Sequence, residues 1–236
     1  MKNQIKIINT LLIKRFGIPE RNKKSPEPVN LLIATILSQN TNDKNSFKAY
    51  NNLKQGFSSW VEVAGLKSSQ IEKLIRVAGL GKQKSKAIKN FLSSIIKQRG
   101  KVSLDYLSEM KNEEILNELT DYPGIGVKTA SCVLLFSLMR NVCPVDTHVH
   151  RTLNRIGLVN TTSPEKTFLA ITDNIPENTA HSFHTNLIRL GREICKPAKP
   201  DCMNCPVKKI CKYENKIIIK NKVISRENSF MLLDNV

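Results

Sequence analysis

Acidic residues are scarce in this chain. Only 20 Asp and Glu stand against 37 Lys and Arg in 236 residues, a formal net charge of +17 with a sequence pI near 9.7. Such a polycation associates with polyanions, nucleic acid first among them, although ribosomal, membrane-surface and lysine-rich thermophile proteins share the trait. Long apolar runs are missing too. The longest, Cys132 to Met139, is too short to cross a bilayer. The N-terminal stretch mixes Lys2, Lys6, Lys14 and Arg15 with Ile5, Ile8, Leu12 and Phe16 at helical spacing, an amphipathic helix and not a secretory core. Neither a convincing alternating strand nor an internal repeat is found. These absences point to an all-α, soluble, cytoplasmic protein without a membrane partner, whose 40% hydrophobic content suits one large core or two modest ones.

What is present is a succession of helical patterns. The periodicity predicts helices over Lys2–Phe16, Val29–Ser38, Asp43–Gln55, Ser58–Ala64, Ser69–Ala78, Lys82–Gln98, Asn112–Thr120, Lys128–Met139, Thr147–Ile156, Pro164–Asn174 and Asn178–Glu193. Asn42, Ser68, Ser163 and the pair Glu177-Asn178 offer capping chemistry near helix starts. The basic, proline-bearing stretch from Pro19 to Leu31 and the segment Asn141 to Val145 read as connections.

The most informative stretch runs from Tyr122 to His148. Pro123 stops the preceding helix, and Gly124 and Gly126 can take the backbone angles that open the next one near Lys128. Amides freed by such a hairpin suit a phosphate oxygen and read no base. A helix from Lys128 to Met139 would rise roughly 17 Å. The extended return to Asp146 spans at most roughly 23 Å, which lets that carboxylate come back to a buried Lys128 amine. Lysines crowd two further places: Lys82, Lys84, Lys86 and Lys89 in one, Lys196, Lys199, Lys208, Lys209 and Lys212 in the other.

Cysteine usage gives the second signal. Four of the six cysteines, Cys195, Cys202, Cys205 and Cys211, are separated by six, two and five residues. Four thiolates so compactly spaced can enclose one metal centre. Structural zinc is the competitor, although a four-cysteine zinc site usually pairs two short knuckles and only one C-x-x-C is present. Cys132 reads as a small core residue, and Cys143 is assigned no chemistry.

Together these residues resemble the endonuclease III family of helix-hairpin-helix DNA glycosylases. Pro123-Gly124-Ile125-Gly126-Val127-Lys128-Thr129-Ala130 is similar to the family hairpin and its catalytic lysine, and Val145-Asp146-Thr147-His148-Val149 with Arg151 to the segment carrying its catalytic aspartate. Leu37-Ser38-Gln39-Asn40-Thr41 resembles the segment whose glutamine fills the gap left by an extruded nucleotide, and Gly79-Leu80 with Lys84-Ser85-Lys86-Ala87 the loop that wedges the duplex. The cysteine spacing resembles the family's iron–sulfur loop. Departures are Tyr122, where leucine is common, and Val127, where arginine is common; they bear on pocket shape and on one DNA contact.

The resemblance implies a six-helix barrel over about residues 29–140 and an iron–sulfur domain over 141–212 that takes in the N-terminal helix and linker, 1–28. The tail 213–236 has no family counterpart. Implied too are a [4Fe-4S] cluster on Cys195, Cys202, Cys205 and Cys211, catalysis by Lys128 and Asp146, and DNA contacts from Gln39, Leu80, Lys84 and the hairpin residues Pro123 to Val127. The implied partner is double-stranded chromosomal DNA with damaged bases or abasic sites, bound by a monomer. The implied activity is removal of damaged bases, oxidised pyrimidines foremost, followed by strand cleavage at the abasic site. A mismatch-specific glycosylase and a non-catalytic DNA-binding iron–sulfur protein stay open as alternatives.

Overall fold

A computed structural model describes residues 1–21 and 24–217. The described residues contain helices and no strand. They divide into two compact units, residues 1–21 with 141–217 and residues 24–140.

The 24–140 unit holds seven α-helical segments: α2 (Pro28–Ser38), α3 (Asp43–Gly56), α4 (Trp60–Gly65), α5 (Ser68–Ile75), α6 (Gly81–Arg99), α7 (Asn112–Thr120) and α8 (Val127–Cys132). The core is built on α2, whose residues Leu31 to Leu37 are without exception inaccessible to solvent. Its start is set by Pro28 behind Glu27, whose carboxylate accepts from the amides of Val29 (3.0 Å) and Asn30 (2.8 Å). Trp60 ties α4 to α2 by donating its indole N–H to Asn30 Oδ1 at 2.7 Å. Asn42 caps α3 as expected, accepting from the Asn45 amide at 2.9 Å. Ser68 does not cap α5: it lies inside the helix, and Gln70 Oε1 accepts the Lys67 amide instead.

Tyr122 is a core residue. It is 6% exposed, meets Phe91 edge-on with ring centroids 5.2 Å apart and donates to Gln98 Oε1 at 2.9 Å. Burial pushes its phenol above the ordinary range. The neighbouring Tyr106 and Arg99 both donate to Glu118.

The other unit holds α1 (Lys2–Phe16), α9 (Thr147–Ile156), α10 (Pro164–Thr172) and α11 (Ala180–Arg189). The N-terminal α1 is stitched along α11. Asn9 and Ser182 exchange hydrogen bonds of 3.1 and 3.2 Å, Asn186 donates to Gly17 O at 3.0 Å, and Arg189 donates to Phe16 O at 2.9 Å. The last two satisfy carbonyls that the end of α1 leaves open. Ser163 caps α10. The start of α11 was expected at Asn178, but Asn178 sits at φ 58 outside the helix. The distant Asn141 does the capping there: its Oδ1 accepts from the Ala180 amide at 3.1 Å while its Nδ2 donates to Pro176 O.

Two helices end differently from their patterns. The run after Lys128 leaves α-geometry at Cys132 and continues as a π-turn over Val133–Ser137, with Met139 at φ 56. Likewise α11 passes into a π-turn over Leu190–Ile194. A continuous apolar run carries no periodic mark of where the winding changes. Ile217 closes the described tail; Ile218, Ile219 and the stretch Phe230 to Leu233 lie outside the described residues.

Replacing Tyr122 by Phe should cost about 1 kcal/mol, the worth of one buried hydrogen bond, in urea unfolding. Tyr122→Ala should cost roughly 3 to 5 kcal/mol. A negligible cost for the alanine variant would contradict the core assignment.

Candidate active site and nucleic-acid interface

The hairpin is held from below and open above. Ile125 donates its amide to Tyr122 O at 3.0 Å, closing the turn. Gly124 takes φ 92, and a Cβ there would lie 2.6 Å from Ala87 Cβ on α6. Glycine is therefore demanded twice, by conformation and by contact. Gly126 differs: its φ of −100 is ordinary, and a Cβ would meet nothing within 4 Å. Nothing in the fold calls for a glycine at Gly126, whereas a ligand backbone approaching closely would. Pro123, Gly124 and Gly126 are exposed and Val127 is half-buried. Ile125 is not available to DNA, since its side chain is 4% exposed and its amide is already used. It anchors the hairpin to the core.

Lys128 stands second in α8 and is half-buried, not buried as expected. Gln39 ends α2 and reaches the same place: its Nε2 donates to Gly124 O at 3.2 Å and lies 3.5 Å from the hydroxyl of Thr129, next to Lys128. The fold thus brings Gln39, the hairpin and the lysine-bearing turn together. Leu80 lies on another loop of the same unit, 45% exposed and at φ 50, directly after Gly79 at φ 68. An exposed leucine in left-handed conformation is costly by about 1 to 2 kcal/mol, and such strain persists where function uses it.

The lysine cluster of α6 requires a correction. Lys84 is 2% exposed, and its Nζ donates to Leu37 O (2.8 Å) and Ala78 O (2.9 Å). It cannot touch a phosphate. Burial lowers its pKa to about 8. Lys89 likewise points inward, donating to Ala64 O at the end of α4. Lys82 and Lys86 are exposed.

In the other unit, Asp146 is the N-cap of α9: its Oδ1 accepts from the Val149 amide at 2.8 Å, and the residue is half-buried. One oxygen fixes the carboxylate to the helix start, and no described hydrogen bond engages Oδ2. His148 follows on the first turn, its pKa lowered chiefly by burial. The same helix carries two arginines. Arg151 donates through Nε (3.1 Å) and NH2 (3.0 Å) to Cys195 O and through NH2 to Gly191 O (2.9 Å). Arg155 donates to the carbonyls of Lys196 and Pro197, each at 2.8 Å. The cysteine loop is thereby fastened to the helix that Asp146 opens.

Cys195, Cys202, Cys205 and Cys211 line one cavity with Leu190, Ile194 and Val207. Burial pushes the Cys205 thiol up to about 12, and the other three sulfurs add to this. Four sulfurs facing one cavity are a set of soft donors of the kind that holds a metal centre. Among the described residues no three His, Cys, Asp or Glu stand close enough to hold a single metal ion. Lys196, Lys199, Lys208, Lys209 and Lys212 surround this loop and are exposed. Cys132 and Cys143 are buried elsewhere.

Residues 33–177 match the model of the HhH-GPD superfamily base excision DNA repair proteins. Endonuclease III of Thermotoga maritima is 34% identical over 202 residues, 86% of this chain and 89% of that one. Endonuclease III of Rickettsia felis is 33% identical, covering 92% of this chain and 99% of its own. The chain belongs to the endonuclease III family. In three dimensions it is similar to the protein of a trapped endonuclease III–DNA covalent intermediate, with TM-score 0.75 and 26% identity over 90% of this chain and 96% of that one. The protein of a non-covalent endonuclease III–DNA complex is similar at TM-score 0.74, with 26% identity over 90% and 95%.

Membership in the endonuclease III family makes the protein a base-excision DNA glycosylase/lyase. Within that frame, sequence reasoning missed the capping role of Asp146 and the fastening role of Arg155. Both had signals: Asp146 stands one residue before a helix start, and Arg151 and Arg155 are spaced i,i+4 on one face of α9.

The two hairpin glycines should separate cleanly. Gly124→Ala should destabilise the protein by roughly 2 to 3 kcal/mol through strain and overlap with Ala87. Gly126→Ala should stay within about 0.5 kcal/mol of the parent yet weaken binding of duplex DNA. A Gly126→Ala variant with parental affinity in a filter or anisotropy titration would remove that residue from the interface.

Proposed function

We propose that the protein removes oxidised or ring-saturated pyrimidines from double-stranded DNA and cuts the strand at the resulting abasic site. The supporting observation is the half-buried Lys128 directly behind an open glycine hairpin. Phosphate held at the hairpin amides brings a sugar to the lysine without regard to base identity. The damaged base must leave the stack first, and damage lowers that cost. Gln39 and Leu80, one beside the hairpin and one strained and exposed, suit the duplex space so vacated.

The unprotonated Nζ of Lys128 attacks C1′, the C1′–N bond breaks, and the base departs with the electron pair and takes up a proton. A second proton then passes from nitrogen to O4′ as the C1′–O4′ bond breaks, which opens the sugar to an imine. Removal of a C2′ proton then expels the 3′ phosphate by β-elimination. Asp146 is the carboxylate we assign to the first step: with Oδ1 committed to the Val149 amide, Oδ2 is left to act as proton acceptor and as the negative charge that offsets a developing oxocarbenium.

Cys195, Cys202, Cys205 and Cys211 would hold a [4Fe-4S] cluster. The four cysteines would hold it as a structural group, since glycosidic cleavage transfers no electron, on a loop whose exposed Lys196, Lys199, Lys208 and Lys209 would be offered to the phosphate backbone. No helix among the described residues is long and apolar enough to cross a membrane. We infer action as a monomer on chromosomal DNA in the cytoplasm.

Lys128→Gln should abolish base release and borohydride trapping while damaged DNA still binds. Asp146→Asn should slow base release strongly and retain some cleavage at a preformed abasic site; near-normal rates on both substrates would reduce the aspartate to its capping role. Protein purified without oxygen should be yellow-brown with about four irons per chain. Stoichiometric zinc without iron would overturn the cluster, and Cys202→Ser should lower soluble yield more than it lowers activity per folded molecule.

A further inference from the structure

The buried Lys84 has no part in the chemistry above, and its environment is unusual. Neither described partner of its ammonium is a carboxylate; both are backbone carbonyls, Leu37 O at 2.8 Å and Ala78 O at 2.9 Å. An apolar side chain would fill the same space without desolvating a charge. What distinguishes the amine is where its two acceptors lie. Leu37 is the residue two before Gln39, at the end of α2, and Ala78 is the residue two before Leu80, at the end of the 3₁₀ turn Arg76–Ala78. Each acceptor closes a helical segment, where carbonyls lack their own partners and the backbone dipole is negative.

Both loops that leave these ends pass through the left-handed region. Asn40 has φ 49 beside Gln39, and Leu80 has φ 50. Asparagine adopts such angles readily, but leucine takes them at a steric cost and holds them only where the surrounding structure fixes the chain on its approach. The lysine does so from inside the protein, at 2% exposure, with one rigid group for both loops.

We propose that Lys84 is a positioning residue for lesion recognition, a strut that sets Gln39 and Leu80 at a fixed separation so that they engage a vacated duplex position as one unit. The inference rests on the reading of Gln39 and Leu80 as the residues that probe the duplex.

The test is a set of binding measurements on the full-length protein, with active molecules counted by borohydride trapping on abasic duplex. Selectivity is the affinity for a duplex carrying a tetrahydrofuran abasic analogue divided by that for the undamaged duplex. Gln39→Ala and Leu80→Ala should each lower selectivity, and the double variant should lose less than the product of the two losses. Lys84→Met, which keeps the length and removes the charge, should lower selectivity roughly tenfold, within the range of couplings between contacting groups. In its background the Gln39→Ala and Leu80→Ala effects should become independent. If either alanine substitution leaves selectivity unchanged, the reading of those two residues fails. If both lower it but multiply independently in the parent, the strut fails although the reading stands, and this comparison needs no Lys84 variant to fold. Parental selectivity in folded Lys84→Met would also overturn the proposal.

Discussion

The close approach of Gly124 to Ala87 is the contact from which the rest of the 24–140 unit takes its functional geometry. A methyl group at that glycine would come within 2.6 Å of the alanine Cβ, so the hairpin can seat on α6 only with a residue that has no side chain and tolerates φ 92. Once seated, its carbonyl receives Gln39, its Ile125 plugs the core, and its far arm starts α8 with Lys128 in second place. Phe91 and Tyr122 meet beneath it. A change of register by one residue would carry the glutamine's anchor and the lysine away together.

The other unit solves a parallel problem with capping. Asp146 both opens α9 and presents a carboxylate, so the same hydrogen bond that starts the helix holds the functional group still. Arg151 and Arg155 then carry that helix to the cysteine loop through carbonyl contacts. Metal binding at such a loop is coupled to folding, because the ligands gain their centre only when the chain is in place. Only two ion pairs occur among the described residues, Arg99–Glu118 and Arg189–Glu193. Lysines such as Lys82, Lys86, Lys196 and Lys199 stand exposed, where a phosphate backbone could meet them.

Much of this was legible in the residues themselves. The helices Asn112–Thr120 and Thr147–Ile156 are readable to their ends because a proline-glycine hairpin stops the first and the extended, valine-bearing segment Asn141 to Val145 precedes the second. The hairpin, the lysine behind it and the cysteine spacing are chemically specific patterns. What escaped was whatever depends on which way a side chain turns. Lys84 was read with the solvated lysines around it, although it shares the helical stripe of Ala87, Ile88, Phe91 and Ile95, all buried. That register was the signal, and the charge masked it. Ile125 was grouped with exposed neighbours, yet an apolar side chain in a tight hairpin has the core as its natural place. The packing of Tyr122 is not legible either, because only the fold brings Gln98 to its hydroxyl. The π-turn after Cys132 was hidden by uniform apolarity.

The central claim is that one amine, placed behind the hairpin, performs the covalent step. Mass-spectrometric mapping of the adduct formed when the parent protein is reduced with borohydride on a duplex containing a ring-saturated pyrimidine tests it most directly. The account predicts a single modified residue, Lys128. An adduct on any other amine, the N-terminal one included, would contradict it.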